Sequence, residues 1–366
     1  MLEFKQQHTA LYVKARNDMT DYSLSDRILG ALIGAAAGDG MGAATEARTT
    51  QQIIDCFGHP VTDFETPPPD TFGAGNVAGQ VTDDFSSAYF LAQSIADCGG
   101  KVSKEAVSTA LVRWSEHKIF FDRFAGPTTR IAIKRCKGEP VPPSKGVNLK
   151  SRQATNGAAM RISPIGMFHP GNLEKTIEDS ITVTMVSHDN VPALSGACAV
   201  SCAVSRALMP EADLYQVLQA ARFGAIEGER LGRLVADDVP SPSVLRRLDE
   251  AIRIALGPGS PEEKMHALGR RIGAGLHIAE AVPCAIGFVA ANPGDAVGAI
   301  IGAVNVGYDT DTIATMTGAI AGALQGASAF PPHYLPTLEG ANGLQIENLA
   351  ERITTLAAKE EPHEQN

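Results

Sequence analysis

The sequence predicts an all-α fold, a single compact multi-helix domain, and three observations carry that reading. Apolar residues recur at three- and four-residue intervals in segment after segment, whereas the period-2 alternation of half-buried strands is hard to find. Glycines spaced by four, Gly30, Gly34 and Gly38, remove side-chain bulk where one helix backbone can approach another. Two acidic clusters, Thr82-Asp83-Asp84 and Asp309-Thr310-Asp311-Thr312, each open a stretch that is otherwise apolar at helical spacing.

Taken in chain order, residues 1–24 carry charges throughout and lack the apolar stretch of a signal peptide, so they read as an extension to a domain spanning 25–358. A first helix is expected near 26–37. The run from Ile28 to Ala44 is mainly Gly and Ala and is interrupted by Asp39, so it falls short of the roughly 18–20 apolar residues of a membrane span. It reads as a buried helix, with Asp39 holding the turn after it. Residues 58–80, with Pro67-Pro68-Pro69, and 138–156, with Pro140, Pro142 and Pro143, are long and irregular, a pattern common in binding loops and lids. After Asp84 the apolar set is Phe85, Ala88, Tyr89, Ala92, Ile95 and Ala96; after Asp311 it is Ile313, Met316, Ile320 and Leu324. Further helices are expected near 103–116, 127–137, 172–182, 191–208, 211–223, 242–256, 261–272, 276–291, 294–303 and 343–358. The polar tail 359–366 is expected to fray.

Composition narrows the function. With 366 residues, 44% hydrophobic and 20% charged, the chain is globular, and a net charge of -10 without a Lys/Arg stripe argues against nucleic acid as a partner. No membrane partner is expected. The six cysteines, Cys56, Cys98, Cys136, Cys198, Cys202 and Cys284, form no CxxC pair and have no His at zinc spacing. They read as small core residues of a reducing compartment, which implies a cytoplasmic location. The lone Trp114 reads as core in the same way. Oligomeric state is left open.

Either acidic cluster alone has a modest explanation, because Thr is a favoured N-cap and Asp in the first turn complements the helix dipole. Together they place four carboxylates and the two candidate hydroxyls of Thr82 and Thr312 at the heads of two central helices, and such carboxylates repel unless a cation neutralises them. Asp309 and Asp311 would point to nearly opposite sides of a regular helix. Gly307 lets the chain turn, leaving Asp309 outside the helix and Asp311 and Thr312 in its first turn, so all three converge. Oxygen-only ligands select hard cations such as Mg²⁺ or Mn²⁺.

The segments RILGALIGAAAGDGMGAATE (27–46), GQVTDDFS (79–86), TNGAAMRISPIG (155–166), VSHDNVPAL (186–194) and AVNVGYDTDTIATMTGAIAGALQGASAFP (303–331) occur in an order that resembles the ADP-ribosylglycohydrolases. The resemblance implies an all-α domain with a dinuclear Mg²⁺ or Mn²⁺ centre at the base of a cleft. Thr82, Asp83 and Asp84 would bind one metal, and Asp309, Asp311 and Thr312 the other or both. Glu46 matches a Glu on a mobile segment near the metals. Asn156 and Gly157 match a loop holding the ADP-ribose diphosphate and ribose, and His188 matches a substrate-contacting His. Tyr308, beside Asp309, joins them as a substrate-binding candidate. This chain departs from the common pattern at Phe85, where Thr is frequent, and at Tyr308, where Gly is; the stretch SRQAT before Asn156 is less Gly-rich than the phosphate loops of macromolecule-directed members. FAGPTTR (124–130) resembles a signature of a bacterial subgroup.

The implied reaction is hydrolysis at ribose C1, with Glu46, Asp83 and Asp311 as the catalytic set and Glu46 or Asp311 taking the proton from water. The expected substrate is an ADP-ribosylated protein or a related acceptor. A smaller N-ribosyl compound is a second reading, and a non-catalytic ADP-ribose binder a third. Each residue has a plainer reading too: Glu46 as a surface charge, His188 as a helix-entry residue, Asn156-Gly157 as a turn, and Cys198 and Cys202 as packing.

Overall fold

In the computed structural model, which describes residues 23–141 and 154–359, helix α1 (Leu24–Thr45) and helix α15 (Thr310–Gln325) run side by side through the interior and make the most extensive helix–helix contact of the protein. Sequence explains the closeness. A Cβ placed on Gly30 would strike the backbone of Gly322 and Gly326, one on Gly34 that of Gly318, and one on Gly38 that of Ala314. The four-residue glycine row continues to Gly42, where a Cβ would strike the backbone of Asp311.

Between the central helices in sequence lie α2 (Thr50–Phe57), α3 (Asp83–Asp97), α4 (Lys104–Glu116), α5 (Lys118–Phe124), α6 (Pro127–Cys136), α7 (Ser163–Phe168), α8 (Leu173–Met185), α9 (Val191–Ala207), α10 (Leu214–Val235), α11 (Val244–Leu256), α12 (Pro261–Ala267), α13 (Ile278–Ala291) and α14 (Ala296–Asn305). Helices α16 (Tyr334–Asn342) and α17 (Ile346–Ala357) follow. Among the described residues there is no strand, only three isolated bridges, so the expected all-α single domain stands. Trp114 is fully buried as expected, and its indole Nε1 donates to Ser86 Oγ at 2.9 Å, tying α4 to the first turn of α3.

Several expectations need correction. The chain does not turn at Asp39: α1 continues to Thr45, because the helical cost of Gly38, Gly40 and Gly42 is offset by packing that only glycine permits. This helix is long and apolar enough, by length and composition, to cross a membrane, and 94% of its most apolar window is buried inside the protein. Helix α10 reaches Val235, well past the expected end near 223. Helices α2, α5, α7 and α16 are too short to show periodicity in the sequence. Of the six cysteines, Cys198, Cys202 and Cys284 are core residues, whereas Cys56 and Cys98 are exposed and Cys136 is half-buried. The loop 58–80 is irregular as expected; most of 138–156, residues 1–22 of the extension 1–24, and residues 360–366 lie outside the described residues.

A solvent-facing helical glycine gains about 0.5–1 kcal/mol when changed to Ala. Gly340, with open space around it, should behave so, whereas Gly34→Ala should lose about 1–3 kcal/mol by overpacking against Gly318. Guanidinium denaturation of the two variants gives opposite signs if the helix contact is as described.

Candidate metal centre

The glycine row ends where the carboxylates begin. Thr82 is the N-cap of α3, and Asp39, from the middle of α1, accepts the backbone N–H of Thr82 at 2.8 Å and of Phe85 at 2.7 Å. Asp39 is therefore structural, as expected, but it fastens the start of α3 rather than a turn of its own. Gly307 and Tyr308 both have left-handed backbone, with φ of 92° and 71°, and lead into Asp309, the N-cap of α15. Asp309 stands outside the helix and Asp311 and Thr312 in its first turn, as the spacing predicted. The turn is pinned to α1, since Thr310 Oγ1 donates to Gly42 O at 3.1 Å and Thr45 Oγ1 to Thr310 Oγ1 at 2.9 Å.

Carboxylate oxygens of Asp39, Asp84 and Asp311 lie within 4.8 Å of one another, and so do those of Glu46, Asp309 and Asp311. Two three-carboxylate groups thus share Asp311. Thr82 Oγ1 lies 3.1 Å from Asp84 Oδ2 and 3.5 Å from Asp311 Oδ2. Burial, and then the neighbouring carboxylates, push all of these acids up: Asp39, Asp84 and Asp311 well above the usual carboxylate range, Asp309 to about 7 and Glu46 to about 11. Asp84 Oδ1 is buried without a hydrogen-bond partner, a defect worth about 1–3 kcal/mol that a bound cation removes. An all-oxygen donor set with an orphaned acceptor fits a pair of hard divalent cations. Thr82, Asp84, Asp309, Asp311 and Thr312 are placed to hold them, with Glu46 at the edge of the second group.

Asp83 is a member of neither three-carboxylate group, but its charge acts on Asp311 and Glu46. It is half-buried, and its carboxyl is pushed up to about 8 by burial and by Asp84, partly offset by Arg161 and Arg130. Sequence reasoning missed Arg161. It is 3% exposed; Nη2 donates to Thr129 Oγ1 at 3.0 Å, while Nε and Nη1 have no partner. A buried guanidinium of this kind is sustained by the charges of Asp83 and Asp84. Its only sequence signal is one basic residue inside an apolar motif. Arg130 of FAGPTTR instead donates to the carbonyls of Phe121, Asp122 and Ala125, closing the end of α5.

The substrate-binding candidates surround this acidic core. Asn156 Nδ2 donates to Asp309 Oδ2, and its backbone N–H to Leu276 O at 2.9 Å, which fixes the turn beside the metal loop. His188 is buried under that turn: its ring packs against Gly157, Nε2 lies 3.1 Å from Thr155 Oγ1 and Nδ1 2.8 Å from Ser187 Oγ. Burial, then the charge of Arg161, push the imidazole down to about 3, so it is neutral at physiological pH. Tyr308 is 57% exposed.

Glu46 is the C-cap of α1 and is half-buried, at the edge of the cluster. Behind it the chain forms a two-rung backbone ladder, in which Ala47 N–H donates to Tyr308 O at 2.7 Å and Tyr308 N–H to Arg48 O at 2.8 Å. Ala47 and Tyr308 are the two non-glycine residues with positive φ among the described residues, each costing on the order of 1–3 kcal/mol. Backbone strain is thus concentrated beside the carboxylates.

Comparison with known proteins agrees with this geometry. A profile of the ADP-ribosylglycohydrolase family matches residues 20–363. The chain is 30% identical to the uncharacterized protein YegU of Escherichia coli (strain K12), over 89% of this chain and 96% of that one. It is 28% identical to the ADP-ribosylarginine hydrolase Tri1 of Serratia proteamaculans (strain 568), covering 92% and 81%, and 28% identical to the human ADP-ribosylhydrolase ARH3, covering 86% and 89%. Among solved structures, a chain of an ADP-ribosylglycohydrolase-related protein complex shares the fold, with a TM-score of 0.66 at 23% identity over 92% of this chain and 99% of that one.

Raised carboxyl values mean that the folded metal-free chain holds protons which the unfolded chain, with carboxyls near pH 4, has released. That stability is fully present below about pH 4 and is lost as pH rises through about 7 and 8, the values of Asp309 and Asp83. His188 acts oppositely below about pH 6.5, but as one group against several. The melting temperature of chelator-treated protein should therefore rise on acidification from pH 8 to 5, and saturating Mn²⁺ should flatten or invert the slope. A metal-free melting curve insensitive to pH over this range contradicts the buried cluster.

Proposed function

Because this chain belongs to the ADP-ribosylglycohydrolase family, we propose that its acidic centre hydrolyses the glycosidic bond at ribose C1 with two Mg²⁺ or Mn²⁺ ions, releasing ADP-ribose from an ADP-ribosylated protein or a related acceptor. Metal-dependent hydrolysis of ADP-ribosyl or glycosidic linkages rests on the family itself. The observation that supports a two-cation centre is the pair of three-carboxylate groups joined at Asp311.

When bound, the cations supply orientation of vicinal ribose hydroxyls and a lowered pKa for the attacking water. The residues supply the rest. Asp311, facing both groups, is committed to the centre, and Asn156 fixes the orientation of the Asp309 carboxylate. Thr312 stands beside Asp311 in the first turn of α15, its backbone N–H donating to Asp311 Oδ1 at 2.9 Å. Glu46 is at the edge of the cluster and more exposed than the buried aspartates; with the cations offsetting the neighbouring carboxylates that push it up, its ionised carboxylate would be the acceptor of the water proton. Hydroxide adds to C1, the bond to the acceptor breaks, and a proton passes to the departing atom.

Asp311→Asn should lose metal binding by calorimetric titration and all measurable turnover while keeping its helical circular dichroism. Glu46→Gln should keep its metal and lose about 100- to 10,000-fold in kcat, the usual range for a general base. An Asp311→Asn protein that still hydrolyses ADP-ribosyl-arginine protein and small N-ribosyl substrates at the wild-type rate would falsify the reading.

A further inference from the structure

The carboxyl of Glu46 has no protein restraint of its own. Among the described residues no hydrogen bond or ion pair reaches it, and Asp311, Asp309, Asp84 and Asp83 all repel it. Its place is set through the backbone on either side. The ladder to Tyr308 is one such hold, and one loop supplies two more. Three residues before Glu46, Ala43 O lies so close to Gly73 that a Cβ there would come within 2.7 Å of it. Two residues after Glu46, Arg48 Nη2 pairs with Asp70 Oδ1 at 2.5 Å. Asp70 and Gly73 both belong to the irregular stretch 58–80, so a short run of that loop bridges the segment that carries Glu46. We propose that residues 70–76 form a strap that sets where Glu46 stands, with Asp70 and Arg123 as positioning residues for the general base. This inference rests on the role given to Glu46 in the glycohydrolase reading and adds to it the device that places that residue.

The strap is anchored in turn on α5. Arg123 donates from Nη1 to Asn76 Oδ1 at 2.6 Å, and from Nη2 to the carbonyls of Phe72, at 3.0 Å, and Ala74. A planar guanidinium gripping three acceptors of one loop is a preorganised clamp. Asn76 is buried, and its N–H donates to Gly73 O at 2.9 Å, which ties the clamped residues to the glycine that meets α1. Gly73 is not among the glycines of positive φ, so the close approach to Ala43, not a turn, calls for it. Arg130 of FAGPTTR closes the end of α5 on the carbonyls of Phe121, Asp122 and Ala125, around Arg123, and so becomes the outer anchor.

A positioning role and a merely structural one differ in size of effect. The Asp70 side chain is 76% exposed, so its pair with Arg48 contributes little to folding. A general base displaced by about 1 Å, in contrast, loses on the order of 100-fold in rate. Loosening the strap therefore lowers turnover far more than it lowers stability.

The test uses the full chain loaded with Mn²⁺, with ADP-ribosyl-arginine protein as substrate. Asp70→Asn should lower kcat about 3- to 10-fold and Arg123→Ala about 10- to 100-fold, each with KM within about 2-fold of wild type and Mn²⁺ affinity unchanged by calorimetry. Asp70→Glu, which can still pair with Arg48, should recover most of the rate. In a Glu46→Gln background neither substitution should lower kcat further, because both act through Glu46. Hydrogen exchange, which needs no turnover, should show the Ala47 amide exchanging faster in both variants than in wild type. The proposal is overturned if Asp70→Asn and Arg123→Ala keep the wild-type kcat, if their losses multiply with that of Glu46→Gln, if the loss falls on KM or Mn²⁺ affinity instead, or if exchange at Ala47 is unchanged. Asp70→Asn alters an exposed side chain and decides alone if Arg123→Ala does not fold. Wild type without turnover sinks the glycohydrolase reading itself, and exchange at Ala47 then still decides whether the loop holds this segment.

Discussion

The contact on which the rest of this protein depends is backbone against backbone between α1 and α15. Gly30, Gly34, Gly38 and Gly42 form one face of α1, and each meets main-chain atoms of α15 or the turn after it. Interiors are packed densely enough that a single added methyl displaces a neighbour. Here the displaced neighbour at the upper end is Asp311, the carboxylate common to both acidic groups. Helix packing and site geometry are consequently the same set of distances.

The acidic centre is held by hydrogen bonds that do not neutralise it. Asp39 receives two backbone N–H groups, Asp309 an amide, Asp311 the N–H of Thr312, and Asp84 is left with an orphaned oxygen. Arg161 and Arg130 both lower Asp83, which belongs to neither three-carboxylate group. Such a site is poorly matched to an empty interior and well matched to cations, which is how preorganised centres trade stability for function.

Much of this was legible in the sequence. The two acidic helix starts, the turn at Gly307, the four-residue glycine row and the burial of Trp114 are local patterns, and local patterns survive folding. What escaped was set by partners far away in the chain. Asp39 looked like a residue at a turn because its glycine neighbours are unusual in a helix, and only the N–H groups of Thr82 and Phe85 explain its position. Arg161 needed Thr129, Asp83 and Asp84 to become more than one basic residue in a motif. The exposed thiols of Cys56 and Cys98 show that residue type alone does not fix depth.

The ladder between Ala47–Arg48 and Tyr308 joins the residue after Glu46 to the residue before Asp309 by two backbone hydrogen bonds, and both Ala47 and Tyr308 hold left-handed backbone. Bond energy and backbone strain oppose each other here, so the net tether between the two sides of the carboxylate group is weaker than two hydrogen bonds alone would make it. The spacing of Glu46 and Asp309 is therefore set by a balance of two terms of similar size rather than by one strong contact.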